Sequence, residues 1–508
     1  MITVLLMRPP TSIRYSTLPI GLLYIASYLE KYGKKVYIYD GRIESESIEK
    51  LKDIINYIKP DYIGISLLTY EGNFGHLTAS IAKQINNKIK IVIGGPHAST
   101  FPRCILKDKN IDIVCCSEGE IAMNEICSGK KFEEIPNIYY RNEDANIVCN
   151  PVGEFIDIND IPLPAYHLID FNKYFSKTIV HGHLYADNRI ASIVTSRGCP
   201  YGCIYCHKSF GRNTRLRTPE SIIMEMKILY EKYNVREIHI EDDIFNIDIN
   251  RAKKIMKLIL ENKLKIHIQF PNGIRADLID EDLMAKFKLA GVYRMSLGIE
   301  TANPEIQKYI DKNLKLSEVE KTINLARKYN ISVNGFFMIG FPYESYEQIT
   351  NTINLSKKLK LCSAEFSIVT PFPATMLYHI VKNEMKINLP TDINYYQTHN
   401  KIINLSAVSD SELQRFHKHA FITFYLNPLH FYRLFISSPN KIIFIKYLFK
   451  FIFFIIKPRP VGIDKDKEKY LNDLYIQKVG FNFYSTESEN ENFIKHYTNR
   501  EKIENYWK

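Results

Sequence analysis

The chain has 508 residues, of which 45% are hydrophobic and 24% are charged, and it contains 22 glycines and 22 prolines. This balance excludes intrinsic disorder and low-complexity fibres, and the length predicts two or three domains that each bury a core. Nine cysteines are too few for a disulfide scaffold, and no basic segment followed by an apolar run opens the chain. We therefore expect a cytoplasmic protein with reduced thiols.

Residues 1–131 alternate short β-branched runs with helical patterns. The predicted strands are Ile2–Leu6, Val36–Tyr39, Tyr62–Ser66, Ile89–Ile93 and Ile111–Cys115, separated by helices near Leu22–Tyr32, Ile48–Ile58 and Leu77–Ile85 and a shorter one after Pro102. This rhythm predicts an α/β, flavodoxin-like parallel sheet that binds its ligand beyond the carboxyl ends of the strands.

Residues 132–188 lack a clear period and contain several prolines, which is typical of a linker. Alternation resumes over residues 189–400. The predicted strands there are Ile190–Thr195, Glu237–Ile240, Lys265–Phe270, Arg294–Gly298, Ser332–Ile339 and Glu365–Thr370. Between them helices are predicted near Pro219–Tyr233, Asn250–Glu261, Glu281–Leu289, Leu316–Tyr329 and Tyr346–Leu359. Six strands in this order predict a partial (β/α)6 barrel, whose chemistry lies at the carboxyl ends of the strands.

Residues 401–508 form a mainly helical C-terminal region by pattern, and the positive charge of the chain is concentrated at its start. Lysine and arginine outnumber aspartate and glutamate by 67 to 56, and Leu413–Ile463 carries eight basic residues and no acidic one. The rest of the chain is nearly neutral, which gives no electrostatic case for a nucleic-acid partner.

The segment 441–459 combines this charge with apolar side chains. Its apolar run Ile442–Ile456 is shorter than the ~20 residues that a spanning helix needs. On a helix, Lys446, Lys450 and Lys457 share one face. The pattern fits a helix packed on protein, or peripheral contact with the inner face of a membrane, which would favour a lipid-like substrate.

Three cysteines follow the first barrel strand at close spacing. Cys199, Cys203 and Cys206 lie in the segment Arg197-Gly198-Cys199-Pro200-Tyr201-Gly202-Cys203-Ile204-Tyr205-Cys206-His207. Three thiolates can bind a four-iron cluster and leave one iron open, as a catalytic site requires. A zinc site and a set of buried free thiols are the alternatives.

This Cys-x3-Cys-x2-Cys loop at a strand end resembles the radical S-adenosylmethionine enzymes. The resemblance implies that Cys199, Cys203 and Cys206 hold a 4Fe-4S cluster and that S-adenosylmethionine chelates the open iron. Reductive cleavage of S-adenosylmethionine would then give a 5′-deoxyadenosyl radical.

Further segments resemble the family at successive strand ends. By that resemblance, S-adenosylmethionine would contact Tyr205, Glu241, Asp242, Arg275, Glu300 and Gly340. Glu241-Asp242-Asp243 lacks the glycines that the family places at this strand end. Glu300 and Asp242 also fit helix caps, and Gly340 also fits an ordinary turn.

A flavodoxin-like domain ahead of such a barrel resembles the cobalamin-binding branch of that family. The resemblance implies cobalamin contacts at Ser66, Gly94, Gly95 and Glu118, where the Gly pair would admit the nucleotide tail without a Cβ. The Asp-x-His-x-x-Gly motif that supplies a lower cobalt ligand is absent from the sequence. His97 is a weak substitute, since it follows a Gly-Pro turn.

The resemblance implies methyl transfer to an unactivated carbon of a small-molecule substrate, with electrons from an external flavodoxin or ferredoxin type of donor. A cobalamin-assisted cyclisation, oxidation or rearrangement, as in the anaerobic cyclases that the chain also resembles, is the second expectation. A non-catalytic iron-sulfur protein for electron transfer or sensing is the third. The sequence does not identify the substrate.

Overall fold

The computed structural model describes residues 1–12, 17–44, 48–177, 184–390, 403–445 and 465–479. The first sheet has the order β2-β1-β3-β4-β5-β6-β7, in which β1 to β5 are parallel. Its strands are β1 (Thr3–Arg8), β2 (Lys35–Asp40), β3 (Tyr62–Ser66), β4 (Lys90–Gly94), β5 (Ile113–Cys115), β6 (Ile138–Arg141) and β7 (Ile147–Cys149). The order of β1 to β5 is that of flavodoxin, so the predicted fold is confirmed.

Helices cover both faces of this sheet. They span Ile20–Lys31, Ile48–Ile58, Gly72–Ile85, Pro96–Thr100, Pro102–Ile105 and Glu120–Cys127. Two separate apolar clusters, one on each face, bury the strand side chains in alternation. This alternation of faces is what the β-branched runs encode.

The sheet has two strands more than the predicted five, and both lie in the segment interpreted as a linker. Strands β6 and β7 form an antiparallel hairpin on the edge of β5, and Ile138, Tyr139 and Tyr140 are buried there. These two strands pair directly with each other without a helix between them, so they fall outside the strand-helix alternation by which the other strands were predicted.

The remainder of the predicted linker joins the two domains. Tyr166 and Phe171 belong to one apolar cluster with Leu23 of the first domain and Ile222 of the barrel. The hydroxyl of Tyr166 also donates a hydrogen bond of 2.5 Å to Glu225 on the first barrel helix. The two domains therefore share a core.

The second sheet is the predicted open barrel, a six-stranded parallel sheet of order β8-β11-β12-β13-β14-β15. Its strands are β8 (Ile190–Ile193), β11 (Glu237–Ile240), β12 (His267–Ile274), β13 (Val292–Glu300), β14 (Ser332–Ile339) and β15 (Ser363–Ile368), and a short antiparallel pair, β9 (Ser196–Arg197) and β10 (Arg215–Leu216), follows β8. The outer helices span Pro219–Glu231, Ile249–Glu261, Glu281–Leu289, Pro304–Tyr309, Leu316–Lys328 and Tyr346–Lys358. We call the carboxyl ends of the barrel strands the mouth and their amino ends the base.

Four barrel helices begin at side chains that cap them. Thr218, Asp248, Asp280 and Ser345 each accept a hydrogen bond from a backbone N–H of the first turn. Such caps satisfy donors that the helix itself leaves free, and this explains why the predicted helices start within a residue or two of the observed ones.

The C-terminal region closes the open edge of the barrel and returns to the first domain. Its helices span Asp410–Tyr425, Pro428–Ser437 and Lys465–Lys478. The hydroxyl of Tyr425 donates to Ala364 O of the edge strand β15 at 2.9 Å, which shields an edge that would otherwise pair with other chains. Leu471 and Tyr475 of the last helix join the core of the first domain.

Among the described residues, no helix combines the length and the apolar character that a membrane span needs. Most of the segment 441–459, including Lys446, Lys450 and Lys457, lies outside the described residues.

Candidate active site

The cysteine loop begins at Gly198, directly after β9. Gly198 has φ +91°, and a Cβ there would lie 2.6 Å from the carbonyl oxygen of Asn213. Only glycine fits this close approach. The N–H of Cys199 then donates to Gly211 O at 3.3 Å, which folds the loop back onto the segment that leads to β10.

Asp242 holds the start of this loop. Its carboxylate is buried and accepts from Thr195 N at 2.6 Å, from Ser196 Oγ at 2.7 Å and from the hydroxyl of Thr195. Burial raises the pKa of Asp242, while these hydrogen bonds oppose the rise. Both oxygens accept hydrogen bonds, so Asp242 positions the start of the loop, and its predicted contact with S-adenosylmethionine stays a prediction.

The three cysteines occupy different depths at the mouth. Cys203 is buried, Cys199 is partly exposed and Cys206 is exposed. The hydrogen bond that Cys206 donates to the sulfur of Cys203 lowers the pKa of the Cys203 thiol and raises that of Cys206. A thiolate is the form that binds iron, so the donor set fits the cluster that the spacing predicts.

The zinc alternative does not fit the described residues. Among them no three His, Cys, Asp or Glu side chains converge as a single metal ion requires. A 4Fe-4S cluster binds each thiolate to a different iron, so its ligands need not converge on one point. His207 points elsewhere, because its Nε2 lies 2.9 Å from Pro373 O.

Lys312 is a site residue that the sequence analysis missed. Its Nζ lies 3.0 Å from Glu300 Oε1, and both side chains are largely buried. Burial lowers the pKa of Lys312, but the charges of Glu300, Cys203 and Cys206 outweigh it and raise that pKa above its usual value. A buried ammonium beside the cysteines would offset the negative charge of a thiolate-bound cluster.

Glu300 ends β13 in the left-handed region, with φ +65°. Such a conformation is strained for a residue with a Cβ, and strain of this kind concentrates at functional sites. Burial and then the charge of Glu300 raise the pKa of the Tyr205 hydroxyl, which places both residues at the cluster loop. Their predicted contacts with S-adenosylmethionine stay predictions.

Gly340 ends β14 with φ +86°, and its N–H donates to Glu344 Oε2 at 2.6 Å. The other carboxylate oxygen of Glu344 is buried without a hydrogen-bond partner among the described residues. Burial raises the pKa of Glu344 to about 7. The adjacent Phe341 packs against Tyr205 with ring centroids 6.2 Å apart, so this turn reaches the cysteine loop.

Arg275 is paired within the structure, and its predicted contact with S-adenosylmethionine stays a prediction. Its Nε and Nη2 donate to the two carboxylate oxygens of Asp277 at 2.8 and 3.1 Å, and Nη1 donates to Lys312 O at 3.1 Å. The guanidinium also lies 3.7 Å from the ring centroid of Tyr201 in the cysteine loop. Arg275 therefore fixes the backbone of Lys312 against that loop.

Glu241 lies at the mouth, and its predicted contact with the methionine amine stays a prediction. It follows β11, and its carboxylate oxygen Oε1 accepts a long hydrogen bond of 3.4 Å from Ser192 Oγ. Its backbone oxygen accepts from Asn272 at 2.9 Å, which holds the strand end in place.

At the carboxyl edge of the first sheet, Ser66 and Gly94 lie side by side in register. A Cβ at Gly94 would meet only Cys115 O, at 3.9 Å, so the space above this strand end is open. Gly95 is required by the backbone instead, since it has φ +87° and a Cβ would lie 2.8 Å from Leu67 O. An open edge without Cβ atoms fits the nucleotide tail of cobalamin.

Glu118 lies in a buried ion-pair cluster, and its predicted contact with cobalamin stays a prediction. Its carboxylate pairs with Arg215 at 2.6 Å and with Arg197 at 3.0 Å, while the neighbouring Glu120 pairs with the same Arg197 at 2.7 Å. All four side chains are largely buried. This cluster ties the loop after β5 to the residue two positions before Cys199, so the ligand edges of the two domains meet.

His97 is an unsuitable cobalt ligand. It is fully buried, and burial followed by the influence of His76 lowers its pKa to about 3. Its ring packs against Phe101 with centroids 5.3 Å apart. His97 is therefore a core residue.

Comparison with known proteins agrees with this architecture. The B12 binding domain family matches residues 11–127, and the Radical SAM superfamily matches residues 193–356. An uncharacterised methyltransferase of Pyrococcus horikoshii is 30% identical over 440 residues, which cover 84% of this chain and 93% of that protein. The cytidylyl-2-hydroxyethylphosphonate methyltransferase of Streptomyces wedmorensis is 26% identical over 78% of this chain and 84% of that protein.

Two solved structures share the fold. The radical S-adenosylmethionine methyltransferase TsrM of Kitasatospora setae, solved with cobalamin and a 4Fe-4S cluster, has a TM-score of 0.65 at 19% identity and covers 76% of this chain and 78% of its own. The cobalamin-dependent S-adenosylmethionine radical enzyme OxsB, solved with aqua-cobalamin, has a TM-score of 0.66 at 14% identity and covers 98% of this chain and 83% of its own. With a cysteine loop, a glycine-lined sheet edge and a 30% identical relative aligned along nearly its full length, the chain belongs to the cobalamin-binding radical S-adenosylmethionine enzymes, which use a 4Fe-4S cluster, S-adenosylmethionine and cobalamin.

Proposed function

We propose that this enzyme transfers a methyl group to an unactivated carbon of a small-molecule substrate. The observation that carries the proposal is the buried ion-pair cluster of Glu118 and Glu120 with Arg197 and Arg215. It joins the sheet edge suited to cobalamin to the loop suited to the iron-sulfur cluster. Methyl transfer needs both cofactors at one substrate cavity, and two of the relatives are methyltransferases by name.

Different residues at the mouth would hold the cofactors, balance their charge and orient them. When bound, the cofactors supply an electron, the cleavage of S-adenosylmethionine, hydrogen abstraction and a methyl donor. Cys199, Cys203 and Cys206 would hold the cluster, and Lys312 would balance its charge. Glu241 and Glu300 would orient the methionine end of S-adenosylmethionine, whereas Glu237 begins β11 at the base of the barrel.

The cobalamin side depends on the open edge at Gly94 and Ser66. Among the described residues, the Ser66 hydroxyl has no hydrogen-bond partner, so it is available to the nucleotide tail. With His97 buried, this domain provides no histidine for the lower face of cobalt in its described part. Bound cob(II)alamin should therefore show no nitrogen superhyperfine splitting in its electron paramagnetic resonance spectrum.

The deciding experiment uses anaerobically reconstituted enzyme with cobalamin, a chemical reductant and S-adenosylmethionine deuterated at the methyl group. We expect 5′-deoxyadenosine in solution and the deuterated methyl group on the bound cobalamin. Formation of 5′-deoxyadenosine without label on cobalamin would favour the cyclase or rearrangement alternative, as in the magnesium-protoporphyrin cyclase relative of Rubrivivax gelatinosus. Absence of both products would favour a non-catalytic iron-sulfur protein.

A matched pair of variants makes that experiment sharper. Gly94→Ile should prevent cobalamin uptake and labelling while 5′-deoxyadenosine still forms, because its side chain fills the open space at the sheet edge. Tyr57→Ile alters a side chain that is 85% exposed near the end of the helix Ile48–Ile58, which leads to the opposite, amino edge of the sheet, so it should leave uptake unchanged. Equal uptake by both variants would contradict the assignment of the edge.

We also propose that an external flavodoxin or ferredoxin type of protein delivers the electron. Cys206 is the exposed member of the three cysteines, which supports a short path from the surface to the cluster. Reduced flavodoxin in place of the chemical reductant should sustain 5′-deoxyadenosine formation.

A further inference from the structure

The C-terminal helices carry the chain from the barrel mouth to the barrel base. Leu413, in the first of these helices, lies at Gly340 at the mouth, where its side chain would be 3.1 Å from an added Cβ. Tyr425, at the other end of the same helix, bonds to Ala364 near the start of β15. The helix Asp410–Tyr425 therefore runs the length of the edge strand.

The next helix, Pro428–Ser437, lies across the base. His430 Nδ1 is 3.0 Å from Leu361 O, and Ser437 Oγ donates to Ser332 Oγ at 3.3 Å. Leu361 precedes β15 and Ser332 begins β14, so both contacts are at amino ends of strands. We call the outer side of residues 426–445 the base surface.

The base surface exposes a continuous apolar face. The buried side of the helix uses His430 and Leu434, whereas its other large apolar side chains face outward. The exposed fractions are Leu426 72%, Leu429 59%, Phe431 37%, Tyr432 60%, Phe435 38%, Ile436 55%, Ile442 67% and Ile445 47%. A run of this kind on a soluble surface marks a contact with protein or membrane.

The segment that forms the base surface carries only positive charge. No acidic residue occurs between Leu413 and Ile463, and Arg433 and Lys441 border the apolar face. Lys441 Nζ donates to the carbonyl oxygens of Ile436 and Ser438 at 2.9 Å each, so it caps the helix and leaves its charge beside the exposed side chains. Two such surfaces would repel each other, whereas anionic lipid headgroups would attract this one.

We propose that the base surface docks on an anionic lipid membrane, with the apolar side chains at the acyl boundary and the basic ones at the headgroups. The strand β14 has eight residues and spans about 25 Å at 3.3 Å per residue, so the mouth would face away from the membrane. Resting on the proposed function, this orientation implies that the substrate enters from the aqueous phase. The lipid-like substrate that the segment 441–459 favoured in the sequence would then not be taken from the membrane at the mouth.

Vesicle flotation tests the docking without any cofactor, so its outcome is independent of the proposed methyl transfer. The full chain should float with vesicles that contain phosphatidylglycerol, and binding should weaken with added salt and with purely zwitterionic vesicles. The triple variant Leu429→Ser, Tyr432→Ser, Ile436→Ser should lower the bound fraction at least tenfold. Met224→Ser, which alters a side chain that is 53% exposed in the first half of the barrel helix Pro219–Glu231, toward the mouth, is the matched control and should bind as the wild type does.

Two tryptophan reporters test the orientation. With the wild-type signal subtracted, emission from Leu429→Trp should shift to shorter wavelength on phosphatidylglycerol vesicles. Tyr343→Trp, which follows β14 at the mouth and is 57% exposed, should not shift. A shift at Tyr343→Trp alone would overturn the orientation, and no flotation of the wild type would overturn the docking. Concentration-dependent dimers that the triple variant abolishes would assign the surface to a second copy instead.

Discussion

Both the base and the mouth of the barrel bury glutamate side chains. The carboxylates at the two ends differ in how many hydrogen bonds they accept and in the backbone conformation of the residue. Glu237, which begins β11, accepts from the backbone of Ala186 and Asp187 at 2.6 and 2.9 Å. It also accepts from the Tyr293 hydroxyl at 2.7 Å and from the Gln269 amide at 3.1 Å, and its Oε1 lies 2.8 Å from His239 Nε2. Its backbone lies in a regular strand.

At the mouth, the Glu300 carboxylate has Lys312 as its ion-pair partner, and the residue sits at φ +65°. Glu344 nearby keeps one buried oxygen without a partner among the described residues. A saturated carboxylate in a relaxed strand stabilises the fold, whereas strained and incompletely bonded carboxylates are available to a ligand. The comparison therefore separates the structural end of the barrel from the reactive end.

The largest effect should come from the cysteines. Replacing Cys199, Cys203 and Cys206 together by Ala should abolish the absorbance near ~400 nm after anaerobic reconstitution, and with it 5′-deoxyadenosine formation. Cys362→Ala, at a buried thiol near the base, should retain both. Four irons per chain in the triple variant would refute the assignment of the cluster ligands.

Glu237→Ala tests the structural end. It leaves the Tyr293 hydroxyl, the Gln269 amide and two backbone N–H groups buried without an acceptor, so we expect a loss of about 3–5 kcal/mol in the free energy of unfolding. Urea denaturation of the apoprotein measures it. Glu305→Ala, at an exposed helical site, is the control and should change stability by less than about 0.5 kcal/mol. Equal losses of unfolding free energy in the two variants would mean that the hydrogen bonds of Glu237 stabilise the fold no more than an exposed side chain does.

The pH dependence of unfolding of Glu344→Gln tests the incompletely hydrogen-bonded carboxyl of Glu344 at the mouth. Burial raises the pKa of Glu344 in the folded protein from its ordinary value of 4.5 to about 7, so the unfolded chain releases this proton at lower pH than the folded one. Ionisation of the Glu344 carboxyl therefore lowers the free energy of unfolding by about 3 kcal/mol in total as the pH rises from about 5 to about 7. The variant should lack this part of the pH dependence. Parallel wild-type and variant unfolding curves across pH 5 to 8 would contradict the buried, weakly bonded carboxyl.

Glu300→Gln should have the smallest effect on the fold and a clear effect on chemistry. Glutamine keeps the shape and can still accept from Lys312, so stability should change by less than about 1 kcal/mol. With the charge of Lys312 no longer balanced, we expect a more positive reduction potential of the cluster and about tenfold slower formation of 5′-deoxyadenosine, which corresponds to about 1.4 kcal/mol. An unchanged potential with an unchanged rate would place Glu300 among the structural residues.

The sequence by itself determined the two folds and the cysteine loop. Alternating apolar residues and helix caps are local, so strands such as Tyr62–Ser66 and Ser332–Ile339 and the helix Glu281–Leu289 coincide with the prediction. The spacing of Cys199, Cys203 and Cys206 is also local. The two strands β6 and β7 were not predicted because they form an antiparallel hairpin, which lacks the intervening helix of the strand-helix alternation.

Only the tertiary structure decided which side chains face a ligand. Asp242, Arg275 and Glu118 lie at the predicted strand ends, but Thr195, Asp277 and Arg215 respectively occupy their charged groups. Lys312 enters the site from a loop after Glu300 and belongs to no motif. The same holds at the base, where contacts with Leu361 and Ser332 turn the apolar face of Pro428–Ser437 outward. A motif places a residue at an edge, whereas the partner of its side chain depends on packing between segments far apart in the chain.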